Sequence, residues 1–259
     1  MIRLISTDFD GTIHDPSSVP PIPTELVERI RAGRNDGARW VINTGRGMED
    51  VVNMIRSQGI DLFPDYIVSV ERHIHERRHD DWREHADWNE ACQADHRALF
   101  AKAEESLDRL REWVSSSFAA QVYDDPWSPL CIIAMHASDA DRIHERIEEE
   151  CLRVESLTVV RNAIYFRFGH TRYSKGTTLG EIARLLGVKR EEVFAAGDHY
   201  NDLSMLDGTH AGQVAAPSNA IPVVKRAVRA AGGYVSEKSC GLGVVDALDF
   251  FSRPTIQSS

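Results

Sequence analysis

Cysteine is scarce in this chain. Its 259 residues include four, Cys92, Cys131, Cys151 and Cys240, and no two stand close enough to form a CxxC ligand pair. A disulfide framework is therefore not the organising device, and the thiols are expected to be reduced, buried or incidental, as in a cytosolic protein. Positive charge is also in short supply. Lys and Arg total 30 against 40 Asp and Glu, for a net charge of −10. An acidic surface of this kind does not grip nucleic acid or anionic membrane non-specifically. A small anionic ligand remains compatible with it, because one bound cation can invert the field inside a pocket. No apolar run nears the roughly 18 residues that a membrane span requires. The N-terminal segment meets Asp8 before a signal-peptide core can form, which leads to the expectation of a cytoplasmic protein. Internal repeats and low-complexity tracts are missing as well, and the polar tail Ser252 to Ser259 is expected to fray.

What is present is a hydrophobic content of 42%, enough for one large domain or two ordinary ones. Ile2, Leu4 and Ile5 mark a buried strand over residues 2–7. Thr24 can cap a helix that runs to about Ala32. "ARWVINTGR" reads as a strand ending in a Thr-Gly turn, "MEDVVNMIRSQGI" as a helix with a glycine stop, and "DYIVSV" as a third strand. This β-α-β-α-β order implies parallel strands joined by right-handed crossovers. The same rhythm returns after residue 172, with a helix over "KGTTLGEIARLLGV", a strand "VFAAGD", a short helix from "DLSML", a strand "AGQVAAP", a helix "NAIPVVKRAVRAA", and a closing strand and helix. The two ends together predict one doubly wound α/β sheet.

The middle differs. Leu99, Ala103, Leu107, Leu110 and Val114 recur at helical spacing. "CIIAMHA" is a strand, Ser138 can cap a helix carrying Ile143, Ile147 and Cys151, and "LTVV" and "IYFRF" flank "RNA" as a hairpin. Helices on an antiparallel sheet make a separate α+β module. The domain reading is therefore 1–81 with 171–259 for the α/β domain, and 82–170 for an inserted one.

Ligands of open parallel sheets bind beyond the carboxyl ends of the strands, and four polar clusters fall there. "DFDGT" places Asp8 and Asp10 at the end of the first strand. Their oxygens suit a hard cation such as Mg2+, Asp8 can act as a carboxylate nucleophile and Asp10 can move a proton; an acidic turn is the plainer alternative. Thr44 and the Gly45 amide can donate to phosphate oxygens, or Thr44 can simply cap a helix. Lys175 stands just ahead of a helix, where it can face an anion or only solvent. Asp198, Asn201 and Asp202 in "GDHYND" can complete a metal site begun by Asp8 and Asp10, or cap the next helix.

In this order, D-F-D-G-T, T-G-R, a lone lysine before a helix and G-D-H-Y-N-D-L-S-M-L resemble the four motifs of the haloacid dehalogenase (HAD) superfamily. An insertion between the second and third motifs resembles the Cof-type subgroup with a C2 α/β cap, which includes sugar phosphatases, sucrose-phosphate phosphatase and phosphomannomutase. The resemblance implies a HAD-like Rossmannoid core and a cap at 82–170. It implies a cytoplasmic, Mg2+-dependent phosphatase of a small phosphomonoester such as a sugar phosphate. Asp8 would form an aspartyl-phosphate. Asp10 would be general acid and then base, with its backbone carbonyl on the metal. Thr44, Gly45 and Lys175 would hold the phosphoryl group, with Arg46 and Asn201 on the substrate side. Asp198 and Asp202 would complete the metal site. A phosphomutase and a non-catalytic phospho-ligand sensor are the alternatives on the same fold. No nucleic-acid or membrane partner is expected, and the chain is expected as a monomer or homodimer.

One departure stands out. Where many Cof-type chains carry N-G-A after the third strand, this one reads V-E-R-H, with Glu71, Arg72 and His73. The run His73, His75, His79 and His85 invites a zinc reading. Its Arg, Asp and Glu neighbours favour a solvated hairpin leading into the cap. Trp82, Trp88, Trp113 and Trp127 are expected in the cap core.

Overall fold

The computed structural model describes residues 1–253. Apart from Ser252 and Arg253, the tail expected to fray lies outside them. The chain divides into two compact units, Met1–His85 with Lys175–Ser259, and Ala86–Ser174.

The first unit is built on strands β1 (Leu4–Thr7), β2 (Arg39–Asn43), β3 (Tyr66–Ser69), β4 (His73–Arg78) and β5 (Asp81–Glu84), with β10 (Val193–Ala196), β11 (Gln213–Ala216) and β12 (Tyr234–Val235) from the C-terminal part. They form one sheet in the order β12-β11-β10-β1-β2-β3-β4-β5. From β12 to β3 every pairing is parallel. The chain order reverses at β1, which lies between β10 and β2, so the crevice where such sheets take ligands opens at its carboxyl end. Leu4, Ile5, Ser6 and Thr7 are all buried, as a strand covered on both faces requires.

Helices α1 (Thr24–Asn35), α2 (Met48–Ser57) and α8 (Cys240–Ser252) cover one face. Their Leu26, Ile30, Val51, Ile55, Val244 and Leu248 pack with Ile5, Ile42 and Phe194 in one core cluster. Helices α5 (Lys175–Leu186), α6 (Leu203–Leu206) and α7 (Pro222–Ala230) meet one another and the β10–β11 region.

Ala86–Ser174 has a core of its own. Helices α3 (Ala86–Ser117) and α4 (Ala137–Cys151) pack with strands β6 (Ala120–Asp125), β7 (Ser128–Ala134), β8 (Leu157–Asn162) and β9 (Tyr165–His170), an antiparallel sheet of order β6-β7-β9-β8. Leu99, Leu107, Leu110, Ile132, Ile143, Ile147 and Phe168 form its centre. No helix among the described residues is long and apolar enough to cross a membrane.

Four readings are corrected. The first unit runs to His85, because β5 pairs with β4 and extends the main sheet; the unit edges fall at 86 and 174 rather than 82 and 170. The histidine-rich stretch is therefore a hairpin on the sheet edge, and it is not wholly solvated: His73 is 2% exposed, although His79 is exposed at the turn. Trp82 packs against the core of the first unit, not that of the second. Thr24 and Ser138 are not caps. The chain is still extended at Pro23 and at His136, so those residues precede α1 and α4, and each threonine or serine already lies inside its helix.

Candidate active site

Register explains how residues from both ends of the chain meet. Thr7 lies level with Ala196 on one side and Ile42 on the other. The residues that follow the strands, Asp8, Gly197–Asp198 and, just past Asn43, Thr44, therefore leave the sheet at its carboxyl end. The Asp8 N–H donates to the Ala196 carbonyl at 2.9 Å, continuing the ladder one step beyond the strands.

Asp8, Asp198 and Asp202 each bring a carboxylate oxygen within 4.8 Å of the others. Among the described residues this is the one group of three acidic, histidine or cysteine side chains with such spacing. The histidines of the β4–β5 hairpin form no such group. Lys175 is 1% exposed and donates from Nζ to Asp8 Oδ1 at 2.6 Å and to Asp202 Oδ1 at 2.7 Å. Burial alone would lower its ammonium group, but Asp202 and Asp8 outweigh that and hold it above its ordinary value. Burial pushes the Asp8 carboxyl well up, opposed by Lys175 and reinforced by Asp202 and Asp198. Asp198 is pushed up to about 6 by burial and then by Asp202, while the Thr12 hydroxyl, donating to its Oδ1 at 2.7 Å, works the other way.

These groups fit a hard divalent cation. The donors are carboxylate oxygens, and those of Asp8 and Asp198 lie within 4.8 Å of each other, a spacing at which two ionised carboxylates repel unless a proton or a cation stands between them. Gly11 keeps the space open: a Cβ there would stand 2.6 Å from Asp198 Oδ2. Asp202 is committed differently. Besides Lys175 on Oδ1, its Oδ2 accepts the backbone N–H groups of Asp198 and His199 at 2.8 and 2.9 Å. It thereby shapes the turn that presents Asp198.

Asp10 faces elsewhere. Its carboxylate is clamped by Arg46 Nε at 2.5 Å and Nη2 at 2.8 Å, with His14 Nδ1 at 3.4 Å. The expected set thus splits into a buried group of Asp8, Lys175, Asp198 and Asp202 and an outer pair of Asp10 and Arg46. Thr44 is buried and its hydroxyl accepts the Arg46 N–H at 3.2 Å; it is not a helix cap, since α2 starts at Met48. Asn201 is turned toward Glu71, donating from Nδ2 to Oε1 at 2.7 Å.

Three contributors escaped the sequence reading. Thr12 orients Asp198. Asn43 donates to the Lys175 carbonyl at 2.9 Å, tying the end of β2 to the start of α5. Glu71 reaches Asn201 from the turn after β3. Glu71 alone had a signal, as the departure from N-G-A; the other two lie inside the quoted motifs and carry no mark of their partners.

A family model described as haloacid dehalogenase-like hydrolase matches residues 94–248. The chain belongs to that family. The match begins after β5, so Asp8, Asp10 and Thr44 lie outside it, and Lys175, Asp198 and Asp202 within. Over 252 residues this HAD-like chain is 27% identical to a phosphoglycolate phosphatase of Methanoculleus marisnigri, covering 96% of each. Its fold is similar to that of the sucrose-phosphatase of Synechocystis sp., solved with sucrose and phosphate, at a TM-score of 0.73 and 16% identity over 97% of this chain and 98% of that one. A haloacid dehalogenase-like hydrolase from Bacteroides thetaiotaomicron is similar at a TM-score of 0.64 and 20% identity, covering 97% of this chain and 100% of the other.

Proposed function

We propose that this HAD-like hydrolase is a Mg2+-dependent phosphoric monoester hydrolase acting on a small phosphorylated metabolite, such as a sugar phosphate, through an aspartyl-phosphate on Asp8. One observation carries the reading: a buried carboxylate at the end of β1 is held by a buried lysine on one oxygen and has a carboxylate oxygen of Asp198 within 4.8 Å. A carboxylate oxygen of Asp8 attacks phosphorus, forming the acyl phosphate as the ester P–O bond breaks. Asp10 gives a proton to the departing alkoxide and takes one back from the water that hydrolyses the acyl phosphate. Arg46 pins Asp10 in one orientation and has to release it for either transfer, since its guanidinium occupies both carboxylate oxygens. Thr44, the Gly45 amide and Lys175 hold the phosphoryl oxygens. Asp8 and Asp198 would hold the cation, which when bound neutralises charge gathering on the phosphoryl group. The unit Ala86–Ser174 takes the place of the cap in the chain and is proposed to choose the leaving group.

The test is hydrolysis of an aryl phosphate in the presence of Mg2+, followed as inorganic phosphate. Turnover should need Mg2+, vanish with chelator and fall by about 1,000-fold or more in Asp8→Asn. Turnover that survives either treatment overturns the mechanism. An isomerised sugar phosphate with no phosphate released identifies a mutase instead.

A further inference from the structure

Asp10 has a second neighbour besides Arg46. His14, four residues on, brings Nδ1 to 3.4 Å from Asp10 Oδ1. That nitrogen is closed to solvent and has no hydrogen-bond partner among the described residues. A buried polar atom in this state is costly unless another state of the site gives it a partner. The ring itself is fixed. It stacks on the buried Phe9, with 5.0 Å between centroids and 11° between planes. Its backbone closes the turn after Asp10: the His14 N–H donates to the Phe9 carbonyl and the Gly11 N–H to the His14 carbonyl, both at 2.9 Å. The two neighbours differ in freedom. The Arg46 side chain is 39% exposed and reaches Asp10 from the turn after β2, whereas the His14 side chain is 8% exposed. Arg46 can swing into solvent, and His14 stays where it is.

We propose that His14 is a positioning residue, the second holder of the Asp10 carboxylate. When Arg46 lets go, a small rotation of Asp10 closes the 3.4 Å gap, and the His14 Nδ1–H takes Oδ1. Oδ2, until then covered by Arg46 Nε, is left free to give its proton to the departing oxygen and to take one back from water. The imidazole keeps its own proton throughout, and a neutral ring suffices, since one of its nitrogens carries a hydrogen. The inference rests on the phosphatase reading above and adds to it the residue that aims Asp10.

The experiment compares phenyl phosphate with 4-nitrophenyl phosphate. Phenolate is the poorer leaving group, so its departure needs the proton from Asp10 more. With Mg2+ present, kcat/KM for each ester is measured in the wild-type chain and two variants. His14→Phe keeps a ring on Phe9 but has no N–H; His14→Asn can place its amide nitrogen where Nδ1 stands. His14→Phe, shown folded by circular dichroism, should lose about 10-fold more on phenyl phosphate than on 4-nitrophenyl phosphate. His14→Asn should hold the ratio of the two esters within about 3-fold of the wild-type value. Where His14→Phe does not fold, His14→Gln replaces it: its amide lies at the place of Nε2, misses Asp10, and should show the same selective loss. Equal losses on the two esters would mark a structural role and overturn the inference, and so would a His14→Asn ratio as skewed as that of His14→Phe. Failure of the wild-type chain to hydrolyse either ester with Mg2+ overturns the phosphatase reading itself, and this inference with it.

Discussion

At Gly11 the chain turns with φ +76°, and the hydrogen that stands in place of a side chain faces the Asp198 carboxylate. Alanine there meets two separate obstacles. The left-handed backbone costs about 1–2 kcal/mol for any residue with a Cβ, and the new methyl would lie 2.6 Å from Asp198 Oδ2. Gly11→Ala is therefore expected to lose about 1–3 kcal/mol in urea unfolding and to need more Mg2+ for half-maximal turnover. Gly37→Ala separates the two effects, because Gly37 has φ +91° but nothing within 4 Å of its Cβ position. That variant should show the strain and keep the wild-type Mg2+ requirement; an equal change in both variants would mean that Gly11 serves the backbone alone. The carboxylate pattern around Gly11 was legible in "DFDGT" and "GDHYND", since residue type and spacing carry it. That Asp10 turns away to Arg46 was not, because a side chain's direction depends on neighbours brought from another strand.

The β4–β5 hairpin carries a pH dependence of its own. Burial, then the Arg72 guanidinium and His75, hold the His73 imidazole down to about 4, against an ordinary value of 6.5. Between those values the unfolded chain binds the proton that the folded chain refuses. Stability from this residue is thus complete above about pH 6.5 and is lost as the pH falls toward 4. In urea unfolding at pH 7.5 and 5.0, the wild-type chain should lose about 1–2 kcal/mol more than His73→Phe over that interval. Equal losses would show that His73 does not titrate in the unfolding equilibrium. The hairpin itself was readable from the charged neighbours of its histidines, but its membership was not. Charged residues such as Arg77 and Glu84 suit an edge strand of the main sheet as well as a solvated connection, and only the pairing of Ile67 with His75 and of Arg77 with Trp82 decides between them.

For the whole molecule, the two units have separate cores, and Ala86–Ser174 begins and ends at junctions of the first unit. Expressed alone, residues 86–174 should unfold cooperatively in urea, with dispersed amide resonances before the transition; a broad, non-cooperative change would show that the core around Leu107 and Phe168 depends on the rest of the chain. Local patterning accounts for what the sequence by itself determined: apolar runs set the strands, helical spacing set α3 and α4, and the family motifs named the residues with chemistry to offer. Each of these is a property of neighbours along the chain, so it survives without coordinates. Only the tertiary structure decided which motifs share a pocket and which partners they take. Parallel register at β1 and β10 brings Asp8 to Asp198, the turn after β3 carries Glu71 to Asn201, and Lys175 is buried between two carboxylates. Contacts between residues far apart in sequence leave no local trace, because they are set by the packing of the sheet as a whole.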